Sequence, residues 1–310
     1  MKIFRASDIH RLIQQTDLIA FLTQQLAQKP EGITVPQRTL MIDPSPFSVF
    51  GTMPAKDDIA GLFMVKNAAL VSSNRGAAIH AMTQVFHTRT GEPMAIMDGA
   101  AMTGYRTAGV AAAIMLHCTD EAADSLAVLG AGVQARHHLM AVFAVRRIRE
   151  VSLCSRGQEK LRALKHWIEH TYPEVRVRLA DSAAECVAGK SLVIAATTSQ
   201  EPLFSMDGLA AEAHVSLIGG HSLESRELSH ADMFRYRVIT EDRAFAMAEA
   251  GHCHAACLEP HELFQLDRSV LAAQKTIFSS VGTALMDLYF VRFLLDISKN
   301  ESLSQLSLTD

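Results

Sequence analysis

The chain has 310 residues and a formal net charge of −4, and 49% of its residues are hydrophobic while 20% are charged. This composition is that of a folded globular protein with a sizeable core, so it excludes disordered, collagen-like and coiled-coil classes. The small acidic excess, without a long basic run, also excludes an electrostatic nucleic-acid binder.

The N-terminal residues predict a pair of amphipathic helices. The opening segment MKIFRASDIH has no apolar h-region, so we expect no secretory signal. Ser7 and Asp8 are residue types that favour a helix N-cap. Four apolar residues then recur at helical spacing, namely Leu18, Ile19, Leu22 and Leu26.

Residues 27–97 predict strands and turns. Residues 27–60 carry five prolines between short apolar runs, which is typical of strands joined by turns. Residues 61–97 alternate in the manner of a sheet meander, with a turn at Thr90-Gly91-Glu92.

The central part of the chain changes to a β-α-β pattern. Residues 107–117 are Ala-rich and predict a helix packed on all sides. Short apolar strands then alternate with helices, which predicts a parallel sheet with helices on both faces. We predict strands at 125–130, 151–155, 175–180, 191–197, 214–220 and 236–241, and a final apolar helix at 281–295. The predicted fold class is therefore α/β, with a doubly wound domain at 118–277 and an α+β domain formed by 1–117 with 278–310.

The most apolar run and the cysteines bear on location. The run from Ala108 to Cys118 is shorter than the roughly 20 residues that span a bilayer, so we expect no membrane association. The five cysteines are an odd number in a long chain, which is typical of reduced thiols. We therefore expect a cytoplasmic protein.

A glycine turn predicts dinucleotide binding. The segment Leu129-Gly130-Ala131-Gly132-Val133-Gln134-Ala135 follows a predicted strand and begins a helix, in the form G-x-G-x-x-A. Gly130 permits the tight turn, Gly132 leaves room for a pyrophosphate, and Ala135 lets helix and strand pack closely. The phosphates would accept hydrogen bonds from the free N–H groups of the helix N-terminus.

The end of the second predicted strand distinguishes the two nicotinamide cofactors. An NAD site has an acidic residue there to bind the ribose 2′-hydroxyl, whereas this chain reads Cys154-Ser155-Arg156. Ser155 and Arg156 would bind a 2′-phosphate that a carboxylate would repel. We therefore expect NADPH, with NADH possible; Arg156 as an ordinary solvated arginine is the competing interpretation.

The chain resembles the ornithine cyclodeaminase/μ-crystallin family over most of its length. The most specific block is Thr103-x-x-Arg106-Thr107-Ala108, shortly ahead of the LGAGVQA strand and turn. Other blocks in the same order are Val35-Pro36-Gln37-Arg38, Met53-Pro54-Ala55, Lys66, Met97-Asp98, Ala196-Thr197-Thr198-Ser199 with Pro202, Gly219-Gly220 followed by Arg226-Glu227-Leu228, and Ser280-Val281-Gly282 with Asp287.

The resemblance implies a Rossmann domain, a substrate-binding and dimerisation domain made of the N-terminal part and the last helix, a homodimer and a nicotinamide cofactor. It also implies a small amino, keto or cyclic imino acid as substrate. Arg38, Lys66 and Arg106 match the positions that hold the substrate carboxylate. The cofactor contacts carried over are Gly130, Gly132, Val133, Gln134 and Ala135 at the pyrophosphate, Thr107 beside it, Ser155 and Arg156 at the 2′-phosphate, and Thr197, Thr198, Val281 and Gly282 on the nicotinamide side.

Two positions depart from the cyclodeaminases of this family. Gly51 stands where they carry a glutamate ahead of the Met-Pro block, and His221 follows Gly219-Gly220 where they carry an aspartate. Cyclisation of ornithine needs a carboxylate to hold the distal amine, so these departures, with the missing NAD-directing acid, favour reduction over cyclodeamination.

We hypothesise NADPH-dependent reduction of Δ1-pyrroline-2-carboxylate, and of Δ1-piperideine-2-carboxylate as a second candidate, to L-proline and L-pipecolate. Lys66 and His221 are the candidate catalytic residues, because a lysine beside the imine can set its protonation and a histidine titrates near neutrality. For His221, a hydrogen bond within its own turn is the competing interpretation. Asp287 is expected to cap a helix or to form an interdomain hydrogen bond.

Other functions remain open from the sequence. They are ornithine cyclodeamination, an alanine-dehydrogenase-like reaction, and a μ-crystallin-like protein that binds NADPH and a ligand. The Cys253 and Cys257 pair, with its neighbouring histidines, has no second ligand pair elsewhere, so we predict no metal.

Overall fold

The computed structural model describes residues 1–44, 47–73, 76–219, 223 and 226–307. The chain divides into two compact units. Unit 1 comprises Met1–Phe21, Lys29–Arg106 and Thr283–Asp310, and unit 2 comprises Leu22–Gln28 and Thr107–Gly282. The predicted functional division at residues 117/118 and 277/278 stays a prediction.

The N-terminal part has the predicted mixture of helices and strands. Its elements are β1 Lys2–Phe4, α1 Ala6–Leu12, α2 Gln15–Leu26, β2 Ile33–Thr34, β3 Thr39–Pro44, β4 Phe47–Asp57, β5 Leu62–Ser73, β6 Gly76–His87, β7 Pro93–Asp98 and α3 Gly99–Cys118. The strands form one sheet of order β1-β7-β6-β5-β4-β2, and β3 also pairs with β4. The β4–β7 pairings are antiparallel, so the predicted meander is confirmed.

The starts of two predicted helices, α1 and α3, needed correction. The N-cap of α1 is Arg5 rather than Ser7 or Asp8, and the Asp8 carboxylate accepts the Arg5 N–H at 3.0 Å. Helix α3 begins at Gly99, eight residues before the predicted start. A Cβ at residue 99 would lie 2.7 Å from the Ala81 Cβ, so glycine lets this helix approach β6, at the expense of the helix propensity on which the prediction relied.

Unit 2 contains a parallel seven-stranded sheet. The further elements are β8 Ser125–Leu129, α4 Val133–Val145, β9 Glu150–Cys154, α5 Gln158–Thr171, β10 Arg176–Leu179, α6 Ala183–Val187, β11 Leu192–Ala195, β12 His214–Leu217, α7 His230–Arg235, β13 Arg237–Ile239, α8 Arg243–Ala250, α9 Pro260–Leu263, α10 Arg268–Ala272 and β14 Thr276–Ser279, with short 3-10 turns at Met206–Gly208 and His252–His254. The sheet order is β10-β9-β8-β11-β12-β14-β13.

The sheet of unit 2 is covered on both faces. Leu126 and Val128 belong to one buried apolar cluster, whereas Ala127 and Leu129, which alternate with them along β8, belong to another. This alternation confirms the predicted doubly wound architecture. Strand β14 was not predicted; its four residues include only two apolar side chains, Ile277 and Phe278, flanked by the polar Thr276 and Ser279.

The last helix, α11 Ala284–Ile297, belongs to unit 1 and begins three residues after the predicted start. Within the described part of the chain, no helix is both long and apolar enough to cross a membrane.

Candidate active site

Three charged side chains meet in the interior of unit 1. Along β5, residues 62, 64 and 66 face the core, so Lys66 takes a place that the strand otherwise gives to apolar side chains. The Asp287 carboxylate on α11 lies 3.2 Å from the Lys66 Nζ through each of its oxygens. It also accepts the Arg106 Nε–H at 2.8 Å, from the middle of α3.

Burial decides the electrostatics of this cluster. The side chain of Lys66 is 4% exposed, that of Arg106 is 5% exposed, and that of Asp287 is fully buried. Burial lowers the pKa of Lys66 to about 8; Asp287 opposes this shift, and the charges of Arg106 and Arg38 add to it. For Asp287, burial acts to raise the pKa, but the two cations outweigh burial, and its pKa lies below the ordinary value. Lys66 is thus an acid that titrates near physiological pH.

The cluster carries two cations against one carboxylate, so it has a net charge of about +1 while Lys66 is protonated. A buried excess of positive charge is costly unless an anion joins it. Arg38, a half-buried residue in the connection between β2 and β3, is close enough for its charge to lower the pKa of Lys66. The structure therefore brings together the three residues that the sequence assigned to a carboxylate.

The two roles expected of Asp287, helix capping and an interdomain hydrogen bond, were wrong. The N-cap of α11 is Thr283, and the Asp287 side chain contacts Lys66 and Arg106, all within unit 1. An acidic residue in an apolar helix is the signal that could have found this role, because two buried cations require a counter-ion.

The glycine turn of unit 2 has the geometry of a phosphate-binding loop. Gly130 has φ of 102°, and a Cβ there would lie 2.4 Å from the Ala196 carbonyl oxygen. At Gly132, by contrast, a Cβ would have no described atom within 4 Å. Gly132 is also the N-cap of α4, with no side chain capping it, so the N–H groups of the following turn are available to an anion.

The residues after Gly132 fit a dinucleotide as well. Val133 is exposed, whereas Ala135 is buried where α4 packs on the sheet. Among the described residues, the Gln134 Oε1 is a buried acceptor without a hydrogen-bond partner. Open space at Gly132 and uncapped N–H groups favour a bound pyrophosphate, whereas the Gln134 Oε1 can accept a hydrogen bond only from a donor, such as a ribose hydroxyl. Thr107 is buried on α3, directly after Arg106.

The residues expected at the 2′-phosphate follow β9. Ser155 and Arg156 come directly after Cys154, the last residue of that strand. The Arg156 Nη2 donates a hydrogen bond of 3.4 Å to the Thr198 hydroxyl, and the guanidinium is otherwise exposed. A long exposed bond of this kind leaves the guanidinium available to an anion.

Two buried carboxylates that the sequence analysis did not assign lie at the carboxyl edge of the parallel sheet. Glu227 accepts hydrogen bonds from Thr197, just after β11, and from Gly219, just after β12. Burial raises the pKa of Glu227 to about 7, although these hydrogen bonds oppose the shift. Glu241, just after β13, accepts the Ser280 hydroxyl at 2.5 Å and the backbone N–H groups of Val281 and Gly282 at 3.0 and 3.3 Å.

The structure describes one of the two positions that depart from the cyclodeaminases. Gly51 lies on β4 opposite Leu40 of β3, and a Cβ at residue 51 would lie 2.8 Å from the Leu40 Cδ2. The Leu40 side chain therefore uses the space that a larger residue at 51 would need. His221 lies outside the described residues.

In the cysteine and histidine cluster, His254 makes hydrogen-bond contacts through both of its ring nitrogens. The His254 Nε2 lies 2.9 Å from the Ser279 hydroxyl, and its Nδ1 lies 3.4 Å from the Cys253 Sγ. Over the described ranges, no group of three or more His, Cys, Asp or Glu side chains is arranged to hold a metal ion.

Comparison with known proteins gives consistent matches over nearly the whole chain. The model of the ornithine cyclodeaminase/mu-crystallin family matches residues 1–302. The Δ1-pyrroline-2-carboxylate reductase of Bacillus cereus is 25% identical over 312 aligned positions, which cover 95% of each chain. The ketimine reductase mu-crystallin of Mus musculus is 26% identical over 275 positions, which cover 86% of this chain and 85% of the mouse protein.

Among solved structures, the Thermococcus litoralis Δ1-pyrroline-2-carboxylate reductase in complex with NADH and L-proline has a TM-score of 0.86 at 20% identity. The match covers 99% of this chain and 100% of that one. It confirms the predicted fold class, and the reductase names of the sequence relatives agree with the predicted oxidoreductase class. The chain belongs to the ornithine cyclodeaminase/mu-crystallin family.

Proposed function

We propose that this chain reduces a cyclic α-imino acid with NADPH. The substrate is Δ1-pyrroline-2-carboxylate, with Δ1-piperideine-2-carboxylate as its six-membered homologue, and the products are L-proline and L-pipecolate. The observation that carries the proposal is the buried pair of cations, Lys66 and Arg106, that share the single carboxylate of Asp287. The names of the reductases that match 95% of the chain support it.

The carboxylate of the substrate is held in unit 1. Arg106 offers a planar fork for a carboxylate, Lys66 offers a compact charge, and Arg38 adds a third cation nearby. Fixing the carboxylate fixes the adjacent C2 atom, which is the atom reduced, so these residues act by positioning. Asp287 keeps Lys66 and Arg106 in place, and its charge raises the pKa of Lys66 against the effect of burial.

Lys66 also has a pKa suited to proton transfer. With a pKa of about 8, it is protonated at neutral pH and is a stronger acid than an ordinary lysine. It can protonate the imine nitrogen, and a protonated imine accepts hydride at C2 more readily than a neutral one. His221 remains our second candidate proton donor.

A reduced nicotinamide bound in unit 2 would supply the hydride. The open turn at Gly132 and the N-terminus of α4, Val133 to Ala135, would hold its pyrophosphate. Ser155 and Arg156 would hold the 2′-phosphate, which is the basis for preferring NADPH to NADH. Thr107, Thr198, Val281 and Gly282 are the remaining proposed contacts. The Thr197 hydroxyl and N–H both donate to Glu227, so we propose that Thr197 contributes through its backbone carbonyl.

Apolar side chains are exposed on both faces of the unit 1 sheet, on strands β3, β4 and β6. Leu40, Ile42 and Ile79 are exposed on one face there, and Met41 and Phe50 are exposed on the other. Monomers rarely expose so much contiguous apolar surface, and a strand pair exposed on both faces needs cover on both. We propose that a second copy of the chain provides it.

A substrate panel tests the function. The purified chain is incubated with Δ1-pyrroline-2-carboxylate and NADPH, with NADH in place of NADPH, with ornithine and NAD+, and with pyruvate, ammonia and NADH. We expect NADPH oxidation at 340 nm in the first arm and a slower rate with NADH. Ammonia and proline from ornithine would establish a cyclodeaminase instead, and alanine from pyruvate would establish an amino acid dehydrogenase. Tight NADPH binding without turnover in any arm would establish a binding protein.

A further inference from the structure

The two buried glutamates of unit 2 join neighbouring strand ends in pairs. In the sheet order, β11 is next to β12, and β14 is next to β13. Glu227 bonds residues that follow β11 and β12, and Glu241, following β13, bonds residues that follow β14. The carboxyl ends of the strands are the edge at which this type of sheet binds ligands.

The two oxygens of Glu227 are divided between two loops. Its Oε1 accepts the Thr197 N–H at 2.7 Å and the Thr197 hydroxyl at 2.8 Å. Its Oε2 accepts the Gly219 N–H at 2.8 Å. The two N–H groups can only donate, so the site requires an acceptor at each oxygen, which an ionised carboxylate supplies and a carboxamide of the same shape does not.

The loops that Glu227 joins are unusually close. A Cβ on Gly219 would lie 1.9 Å from the Thr197 carbonyl oxygen and 2.9 Å from the Glu227 Oε1. Glu227 itself is 1% exposed. Thr197 and Gly219 are thus held against each other, with no room for adjustment except by moving one loop.

We propose that Glu227 is a positioning residue for the nicotinamide cofactor, which it serves by fixing the backbone at Thr197 and Gly219. This inference rests on the proposed function for the identity of the cofactor. Thr197 precedes Thr198, the residue that contacts Arg156, so a shift of the β11 loop also displaces a proposed contact of the 2′-phosphate side.

The proton on Glu227 supplies a distinctive signature. Burial raises its pKa to about 7, so the carboxyl gains a proton just below neutrality and then offers a donor where its partners need an acceptor. Among the described residues, the groups that donate to it from the ends of β11 and β12 belong to Thr197, Ile218 and Gly219, none of which is charged. Arg226 precedes Glu227 in sequence, and the Arg226 backbone N–H donates to the Ser199 carbonyl. Cofactor affinity should therefore weaken as pH falls through about 7.

The test measures cofactor binding, not turnover. Dissociation constants for NADH are determined by fluorescence between pH 6 and pH 8.5. NADH is used because it has no 2′-phosphate, whose own titration would add a second pH dependence. We expect Glu227→Gln to weaken binding at pH 8 by at least ten-fold and to abolish the pH dependence that the wild type shows around pH 7. The matched control is Glu212→Gln, an exposed glutamate of the same unit, which should keep both the affinity and the pH dependence.

A second variant distinguishes loss of positioning from unfolding of the Glu227→Gln protein. Thr197→Val keeps the shape of the side chain and removes the hydroxyl, which donates to Glu227 and accepts the Ser199 N–H, while the Thr197 N–H bond to Glu227 remains. We therefore expect an intermediate loss of affinity with the pH dependence retained. Amide hydrogen exchange in the cofactor-free protein should show faster exchange at residues 197 and 219 in Glu227→Gln only.

Two outcomes separate this inference from the proposed function. Unchanged affinity and an unchanged pH profile in Glu227→Gln would overturn the inference, whatever the enzyme reduces. Loss of affinity and of pH dependence, in a chain that reduces no imino acid, would support the inference and contradict the proposed function.

Discussion

Replacing Asp287 by asparagine should lower the pKa of Lys66. The carboxylate lies 3.2 Å from the ammonium, and its charge raises the pKa of Lys66 against the effect of burial. At that distance, Coulomb's law gives about 1.3 kcal/mol at a water-like dielectric constant and about 5 kcal/mol at an effective value of about 20. These energies correspond to roughly one to four pKa units. Starting from about 8, the pKa of Lys66 in Asp287→Asn should be at or below about 7.

The pH dependence of kcat/KM for the imino acid measures this shift. Lys66 must be protonated both to bind a carboxylate and to protonate the imine, so activity falls as pH rises through its pKa. In the wild type, we expect this decline near pH 8, and in Asp287→Asn we expect it at least about one unit lower. Binding of L-proline, followed by fluorescence, should show the same displacement.

A matched control lies on the same helix. Asp296 is exposed and pairs with Lys299, so Asp296→Asn should leave the decline unchanged. Loss of one partner of a buried ion pair costs about 3 to 5 kcal/mol, so the thermal midpoint of each variant is measured beside the pH profile. A folded Asp287→Asn protein whose activity still declines near pH 8 would refute the assignment of this titration to Lys66.

Three further predictions concern other parts of the molecule. Arg156→Ala should weaken NADPH binding by about 10- to 150-fold, the effect of one charge-assisted hydrogen bond, while NADH binding changes little; equal losses for both cofactors would contradict the proposed 2′-phosphate contact. Gly219→Ala should destabilise the fold by about 1 to 3 kcal/mol in thermal unfolding, because its Cβ would overlap the Thr197 carbonyl, whereas Gly208→Ala, with no described atom within 4 Å of its Cβ, serves as control. Met41→Asp should convert a dimer to monomers in light scattering, whereas Ile59→Asp, also exposed, should not; a wild-type monomer would remove the basis for this interface.

The sequence predicted what depends on local pattern. Six strands of the doubly wound sheet and the glycine turn were recognisable because short apolar runs and a strand–turn–helix context are local properties. Strand β14 was missed because its four residues include only two apolar side chains, Ile277 and Phe278, and therefore carry a weak local pattern. The start of α3 was missed because glycine has a low helix propensity. Residue 99 is glycine because a Cβ there would overlap Ala81, which lies on another element.

The charged partnerships could not be predicted in the same way. Lys66 and Asp287 are 221 positions apart, and only the assembled unit 1 brings them together. Likewise, Glu227 and Glu241 look like ordinary surface acids in sequence, and their role depends on donors at the ends of other strands. Lys66 and Arg106 were assigned through the family resemblance; what the structure adds is the carboxylate they share and the reason that Lys66 titrates near neutrality.

The most direct test of the central claim is the yield of L-proline from Δ1-pyrroline-2-carboxylate, measured against NADPH consumed, in the wild type and in Lys66→Met. We predict one L-proline for each NADPH oxidised. In Lys66→Met, kcat/KM should fall by about 10- to 150-fold, because a charged hydrogen bond to the substrate is lost. Binding of NADPH without formation of L-proline, or equal rates in the two proteins, would contradict the account.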